Sequence, residues 1–496
     1  MRTTFSGIAI ALRALQAQQT SLDVTGHNVA NANTPGFSRQ RAVHKASQPY
    51  PMPMLAGGVS GGQYGTGVQV SQIMRMRDLF VETRLRQENP QLGYWETMEQ
   101  GLSQVELFFN EPSETGIASA LDQLWDSLQD LSHSAESESV RRVVVQRAQV
   151  LVEAVRSSRE QLHQLRADLN NSVQVRVNEI NILASQIADL NNQISKVTAS
   201  GSSPNDLLDQ RDVLLEQLSR IADIEVTDDH ANMVIVTLDG VGLVQRSTAY
   251  LLETRRVQRP DLGYDKYEIY WQSTGSPATI KSGELGATLA LRDDKVQYYI
   301  DALDNWTRDF AYAFNKRHKQ GYDLNGKPGQ DFFVFSGPID SVSFAAADIR
   351  IDKAIMDNPD KIAASLEKPE PGKPYTAIAN GDNAVRLAAL RHEFLKDTDI
   401  LGGQPGDERP PLSEQFISII SGLGVDAEEA VKMAENRDVL VTHLLNLREA
   451  TSGVSLDEEM ANMIKFQHAY NAAARLMTAV DEALDVIINR LGVVGR

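Results

Sequence analysis

The fold is governed by one long helical pattern, which reads LHQLRADLNNSVQVRVNEINILASQIADLNNQISKV at residues 162–197. Its apolar side chains recur three or four positions apart, at Leu162, Leu165, Leu169, Val173, Val177, Ile180, Leu183, Ile187, Leu190, Ile194 and Val197. This spacing is typical of an amphipathic helix, and its change from 3-4 to 4-4-3 steps resembles a stutter in a coiled coil. Extended back to residue 139, the helix would be roughly 85–90 Å long at 1.5 Å per residue. That length suits a rod-like subunit better than a globular enzyme.

Both ends of the chain carry a similar apolar stripe. The N-terminal stripe comprises Phe5, Ile8, Leu12, Leu15 and Leu22. The C-terminal stripe comprises Leu456, Met460, Met463, Tyr470, Met477, Leu484 and Ile488. These 3-4 repeats predict two terminal helices that pair as a coiled coil with each other or with neighbouring copies. We expect these side chains to form the assembly interface, although the stripes could also pack into one ordinary globular core.

The middle of the chain changes character. Residues 225–282 contain strand-like runs, and Asp239 and Gly240 between two of them predict a hairpin turn. The sequence therefore predicts a mainly α fold with a β-rich insertion. We expect a terminal coiled-coil assembly domain at 1–60 and 450–496, a helical rod-like domain at 61–224, 283–325 and 380–449, and a smaller β-rich central region at 225–282 and 326–379.

The composition excludes several classes of protein. The chain has 496 residues, which suggests about three domains, and 48 basic against 66 acidic residues give a net charge of −18. This balance argues against a nucleic-acid partner, which needs a concentrated basic face. The absence of cysteine excludes disulfides, thiolate chemistry and Cys-ligated metals.

Membrane and secretory signals are not evident in the sequence. No stretch approaches the ~18 apolar residues of a membrane span. The short apolar run at residues 8–12 is followed by Arg13 and lacks the pattern of a cleaved signal peptide. We therefore expect no membrane partner, and a chain that is either cytoplasmic or exported by a route that reads a different signal.

The search for catalytic patterns is negative. The nine histidines are scattered, no HExxH or paired metal spacing occurs, and the glycines at 57–67 do not follow a strand. Asp323 opens a loop that resembles a calcium site, but the glycine and the closing glutamate of such a loop are misplaced. We expect no enzyme activity, no catalytic or metal site and no cofactor.

One motif marks the end of the first helix. Residues 26–40 read GHNVANANTPGFSRQ. Proline disfavours a helical conformation in the residue before it, and glycine permits a turn, so the helix should end between residues 30 and 33. We expect the motif to turn the chain outward, with asparagine side chains capping backbone groups. The motif residues that we assign to this role are Asn28, Asn31, Asn33, Thr34, Pro35, Gly36 and Phe37.

This motif resembles the signature of the flagellar axial proteins, the family of rod, hook and hook-associated proteins. The FSRQ ending at residues 37–40 is most similar to the hook-associated members at the hook–filament junction. Two further segments agree: SGVSLDEEM at 452–460, followed by FQHAYNAAAR at 466–475, and SGELG at 282–286 with DFF at 331–333. The resemblance covers both ends and most of the helical middle, and is weakest at residues 341–380.

The resemblance implies a structural adaptor that forms a tubular layer in the bacterial flagellum. Its partners would be the hook protein, the second junction protein, copies of itself and a cytosolic export chaperone on the C-terminal helix. The protein would be extracellular, exported by the flagellar secretion system without a cleaved signal peptide. Because an isolated helix of about 25 residues is marginal in water, we expect the two ends to order on assembly.

Three alternatives remain open. Another axial protein, such as the second junction, rod or hook protein, would share part of the motif. A peptidoglycan hydrolase fused to an axial domain would need a catalytic carboxylate in a cleft. A cytoplasmic coiled-coil scaffold would share the apolar stripes but would stay in the cell lysate.

Overall fold

The computed structural model describes residues 6–49, 64–260, 263–339, 342–368, 379–396, 399–401, 404 and 406–486. Within these ranges the protein is mainly helical with small antiparallel sheets, as the sequence predicts. The helices are α1 Ser6–Ala30, α2 Leu79–Phe109, α3 Ile117–His133, α4 Glu138–Ala199, α5 Asn205–Ile221, α6 Gly283–Ala290, α7 Val296–His318, α8 Ala345–Asp348, α9 Lys353–Asp357, α10 Asp382–Ala389, α11 Leu412–Ser452 and α12 Leu456–Asp485. A π-helical segment, Leu291–Lys295, joins α6 to α7.

Helix α4 is the longest element described, with 62 residues in one run. Its predicted bounds, 139–197, are confirmed to within two residues. Two hydrophobic cores lie along it. The first half packs with α2, α3, α7 and α11 around Trp125 and Phe310. The second half packs with α5 and with strands of the 225–282 segment around Ile180 and Val236. The apolar stripe of α4 is therefore buried by two different sets of partners.

The strands form small antiparallel sheets. They are β1 Gln40–Ala46, β2 Val68–Arg75, β3 Ile224–Asp228, β4 Val234–Leu238, β5 Val241–Gln245, β6 Thr248–Ala249, β7 Leu252–Arg259, β8 Tyr264–Trp271, β9 Phe333–Val334, β10 Arg350–Ile351, β11 Leu395–Lys396 and β12 Glu408–Arg409. The order β3-β4-β5-β6 makes one sheet, and β1-β2, β7-β8, β9-β10 and β11-β12 make pairs. Asp239 and Gly240 turn β4 into β5 with φ of 49° and 76°, which confirms the predicted hairpin.

The strands β3–β8 and the strands β9 and β10 lie in different hydrophobic cores. The sheet β3–β6 and the pair β7-β8 belong to the core on the second half of α4, whereas β9 and β10 lie in the core on its first half. Within the segment 326–379, which we expect to be β-rich, residues 342–351 form only the short strand β10, since Ala345–Asp348 is helical. The segments 225–282 and 326–379 therefore pack against different halves of α4. Their grouping into one central region stays a prediction.

Helices α1 and α12 lie antiparallel against each other. A Cβ built on Gly7 would lie 3.2 Å from Val480, and at the other end Asn28 reaches Glu459. Small side chains of α1, including Ala11 and Ala17, are buried. This pairing occurs within one chain. No helix in the described ranges combines the length and the apolar character needed to cross a bilayer.

Candidate functional site

The motif at residues 26–40 forms the turn that the sequence predicts. Helix α1 ends at Ala30, and the Asn31 side chain donates to the His27 carbonyl oxygen at 3.0 Å. The Thr34 backbone N–H donates to the carbonyl oxygen of Asn31, and that of Phe37 donates to Thr34. Gly36 has a φ of +77°, and a Cβ on it would lie 2.1 Å from Val213 of α5. Glycine is thus required both by conformation and by close packing.

Asn28 joins three elements. It is buried, and its side-chain amide donates to the Gln40 carbonyl oxygen at 2.9 Å and to Glu459 Oε2 at 3.0 Å. Its Oδ1 accepts from the Gln40 backbone N–H at 3.0 Å. One side chain therefore ties α1 to β1 and to the start of α12. The expected capping by Asn28 goes to a strand backbone and not to the helix end.

Glu459 and Arg39 form the ionic part of this contact. Arg39 donates to Glu459 Oε1 through Nε at 2.9 Å and to Glu458 Oε2 through Nη1 at 2.7 Å. Its backbone N–H donates to the Ser452 carbonyl oxygen at 2.9 Å. Burial alone would lower the pKa of Arg39, but the hydrogen bonds to the two glutamates raise it. The arginine is charged at any physiological pH.

Two carboxylates of α5 hold the residues that follow the turn. Asp209 accepts from the Ser38 backbone N–H at 3.0 Å and from its hydroxyl at 2.8 Å. Asp206 accepts from the Gln40 side chain at 2.8 Å and pairs with His27 at 3.2 Å. We call the set Asn28, Ser38, Arg39, Gln40, Asp206, Asp209 and Glu459 the motif junction.

Two arginines, at the last position of β2 and two residues beyond it, bind carboxylates of α5. Arg75 donates to Asp209 and to Asp212 at 2.8 Å each, and Arg77 binds Asp212 and, at 2.7 Å, Glu82. Burial lowers the pKa of Arg77, but Asp212 and Glu82 outweigh this and raise it. Charged hydrogen bonds at the C-terminal end of β2 therefore attach the β1-β2 pair to α5.

These contacts bring together segments separated by up to 431 residues. Within the described ranges, no group of three or more His, Asp or Glu side chains is placed to hold a metal ion. What the arrangement can do is mechanical: it holds the α1–α12 pair, the motif turn and α5 in one relative position.

The chain is similar to known proteins over most of its length. Residues 102–333 match the flagellar hook-associated protein FlgK helical domain. Residues 8–37 match the flagella basal body rod protein model, and residues 449–491 match the flagellar basal body rod FlgEFG protein C-terminal model. The flagellar hook-associated protein 1 of Bacillus subtilis is 34% identical, over the full length of both chains. The chain belongs to the flagellar hook-associated protein 1 family.

Other relatives fit this membership. The flagellar hook-associated protein 1 of Escherichia coli is 27% identical, with 97% of this chain and 98% of that protein aligned. The solved structure of the flagellar hook junction protein FlgK from Burkholderia pseudomallei matches with a TM-score of 0.61 at 18% identity. That match covers 74% of this chain and all of that one, and shows a shared fold.

The residues predicted for the assembly interface are spread over several environments. Leu12, Leu456, Met460 and Tyr470 are exposed; Ile8, Leu15, Leu22, Met463 and Met477 are half-buried; and Leu484 is buried. Phe5 and Ile488 lie outside the described residues. Their role in assembly remains a prediction for a member of the hook-associated protein 1 family.

The other motif residues face the surface. Asn33, Thr34, Pro35 and Gly36 are exposed, and Phe37 is half-buried with its ring edge-on to His27 at 5.3 Å. Thr34 Oγ1 donates to Asn31 Oδ1 at 3.2 Å. Of the predicted motif residues, Asn28 is the one that takes part in the buried contacts of the junction; the other members of the junction lie outside the predicted set.

Sequence reasoning missed the partners of the motif. Ser38, Arg39 and Gln40 were visible only as part of the family resemblance, and Glu459 as part of the second matching segment. Asp206 lies in the first turn of α5, a common place for an acidic residue, so nothing in the local sequence singles out its contact with Gln40. No local signal identifies Asp209, because its partner Ser38 lies 171 residues away.

Proposed function

We propose that this protein is a structural adaptor at the junction between the flagellar hook and filament. Copies would assemble as a tubular layer, with the paired helices α1 and α12 at the inner wall and the helical and β parts outside. Family membership supports the place in the flagellum. The pairing of the two terminal helices supports the manner of assembly.

The observation that carries this proposal is an unpaired apolar row on α12. Helix α12 contacts α1 through Glu459 and Val480, and Glu459, Ala473 and Leu484 are its buried residues within the described ranges. Leu456, Met460 and Ile464 follow at steps of four and are 50%, 58% and 54% exposed. Residues four apart lie on one face of a helix. Burying such a side chain is worth roughly 1.5–3 kcal/mol, so neighbouring copies gain by covering this row.

The motif junction gives this assembly its geometry. Because α5 packs on the second half of α4, the bonds of Ser38 and Gln40 to α5 tie the terminal helices to the long helical part of the chain. Charge-assisted hydrogen bonds are stronger and more directional than neutral ones. We infer that the junction sets the direction in which the outer parts leave the inner tube.

Export and protection of the terminal helices belong to the same proposal. We infer that an export chaperone covers residues 456–491 in the cytosol and that the chain leaves through the flagellar secretion system. The exposed apolar row on α12 supports this inference, because exposed apolar surfaces promote aggregation unless a partner binds them. Protease protection of this segment in the cytosolic complex checks the inference. Equal cleavage with and without the bound partner would contradict it.

The experiment that tests the function is localisation on detached flagella. Antibody-gold labelling in electron microscopy should mark a single short band where hook meets filament. Label along the whole hook or at the rod would indicate another axial protein. Protein confined to the cell lysate, with no label on flagella, would favour a cytoplasmic scaffold and would contradict the proposal.

A further inference from the structure

Two exposed apolar side chains stand at the start of α2. Leu79 and Phe80 follow each other in sequence and are 73% and 68% exposed. Asp78 caps the helix by accepting from the Phe80 backbone N–H at 2.9 Å, so this first turn is held in place. The guanidinium of Arg84 lies 5.6 Å from the centre of the Phe80 ring. The result is an exposed apolar knob with the guanidinium of Arg84 beside it.

A cleft of complementary character lies between α4 and α5. Its volume is about 630 Å³, and the motif turn, including Pro35 and Phe37, closes one end. Leu190 and Val213 provide apolar lining. Pockets of roughly 300–1,000 Å³ hold ligands of drug size, so this cleft has room for a leucine and a phenylalanine side chain.

The apolar surface continues out of the cleft along α4. Val175 and Ile182 are seven residues apart, which places them on one helix face, and both are exposed. Gln186 and Asp189, which line the cleft, follow on that same face. An exposed apolar strip that runs into a cleft is typical of a surface that binds another protein.

The cleft offers carboxylates, and the knob offers one cation, Arg84, besides the exposed carboxylate of Asp78 that caps α2. Asp189 and Asp206 line the cleft, and the Asp206 side chain remains 58% exposed while it pairs with His27. Arg84 accompanies the knob on α2. Complementary charges around an apolar contact select the partner and fix its register.

We propose that the knob formed by Leu79, Phe80 and Arg84 of one copy enters the α4–α5 cleft of a neighbouring copy. The partner is therefore a second copy of this chain, and the inference rests on the proposed assembly. Knob and cleft are different patches, so the contact is head-to-tail, the type that closes into rings or continues as a helix. It would link the helical parts of neighbouring copies outside the terminal helices.

Disulfide trapping in flagella tests this contact. The chain contains no cysteine, so introduced cysteines react without background. Two differently tagged chains are co-expressed, one with Phe80→Cys and the other with Gln186→Cys, and detached flagella are oxidised. We expect a disulfide joining the two tags. Leu107→Cys, at the other end of α2 and equally exposed, replaces Phe80→Cys as the matched control and should give several-fold less product.

Charge exchange provides the second measurement. Arg84→Glu and Asp189→Lys should each lower the amount of protein recovered with flagella several-fold, and a mixture of the two chains should restore it. Both chains present in flagella with no trapped product above the Leu107 control, or no restoration in the mixture, would overturn the contact while leaving the adaptor function intact. Absence of the unaltered protein from flagella would overturn both.

Discussion

At the scale of single residues, two adjacent glutamates bind the same arginine in different surroundings. The Glu459 side chain is 3% exposed and that of Glu458 is 64% exposed. Glu459 also accepts from the buried Asn28. Burial makes a polar contact costly to break because the remaining partners lose both water and their hydrogen bond. The junction should therefore depend on Glu459 and little on Glu458.

Replacing the buried glutamate tests this difference. We expect Glu459→Ala to destabilise the α1–α12 pair by roughly 1–3 kcal/mol, because Asn28 and Arg39 lose an acceptor. The matched Glu458→Ala should change the free energy of unfolding by no more than about 1 kcal/mol, because exposed ion pairs contribute no more than that. Hydrogen exchange of the α1 amides measures both. Equal protection in the two variants would argue against a buried anchor at this position.

Gly36 provides a second test at this scale. Gly36→Ala adds a methyl group where φ is +77° and where Val213 lies 2.1 Å from the new atom. We expect a loss of about 1–3 kcal/mol from strain and overpacking, seen as a lower thermal midpoint. Gly26, whose Cβ position meets nothing within 4 Å, is the control. Gly26→Ala within α1 should be neutral or stabilising by up to about 1 kcal/mol.

His318 makes the stability of the first core depend on pH. Its Nδ1 lies 2.6 Å from the Gln330 carbonyl oxygen, and its Nε2 accepts from the Ala363 backbone N–H at 2.9 Å. The ring is therefore neutral, and burial lowers its pKa from 6.5 to about 4. Because the unfolded chain binds the proton more readily, the stabilisation is complete above pH 6.5 and is lost as the pH falls towards 4.

The expected loss between those pH values is roughly 3 kcal/mol. Thermal midpoints of the chain at pH 7, 6, 5 and 4 measure it. The exposed His133 serves as control: His133→Gln should keep the pH dependence, whereas His318→Gln should be less stable at pH 7 and should lose part of the further drop. An identical pH profile in both variants would refute the assignment to His318.

At the scale of elements, the strands are attached to the long helix by asparagines. Asn170, Asn181 and Asn191 of α4 each accept from one strand residue's backbone N–H and donate to a strand carbonyl oxygen. Asn28 does the same for β1, and Asn315 of α7 for β9. One amide side chain satisfies two backbone groups that the sheet leaves unpaired, so it fixes both position and register of the strand.

Replacing Asn191 tests whether such asparagines attach the strands to α4. Asn191 is buried, exchanges hydrogen bonds with Val234, and accepts from Arg211 at 3.1 Å. The same side chain also donates to the Arg246 carbonyl oxygen at 2.8 Å. We expect Asn191→Leu to cost roughly 2–4 kcal/mol because four polar groups lose a partner. The exposed Asn171 on the same helix provides the control, and Asn171→Leu should have little effect. The thermal midpoint by circular dichroism compares them, and equal midpoints would contradict the role.

The sequence predicts features that depend on neighbouring residues, and it does not predict contacts between residues far apart in the chain. The bounds of α4 follow from the spacing of Leu162 to Val197, and the end of α1 follows from the motif that contains Pro35, because both signals are local. The Asn191 bond to Val234 and the Asn28 bond to Glu459 join distant segments and leave no periodic trace. Asparagine within a helix is a weak signal of any kind. Hence the elements were predictable, while the buried contacts of the junction were not.

At the scale of the whole molecule, the two ends meet and the middle extends from them. Helices α1 and α12 contact each other within one chain, with Gly7 close to Val480, and the ordering of the two ends on assembly stays a prediction. We propose that the exposed row of Leu456, Met460 and Ile464 on α12 serves the contact between copies. On this proposal, the residues that join copies differ from those that join α1 to α12.

The most direct test of this separation is recovery of an altered row with flagella. The double variant Met460→Asp with Ile464→Asp should keep its helical content and thermal midpoint in the isolated chain, because both side chains already face solvent. It should be missing from sheared flagella, and cells should be non-motile. The pair Met460→Leu with Ile464→Leu, which keeps the apolar character, should assemble normally. Recovery of the aspartate variant with flagella at the level of the unaltered protein would contradict the account.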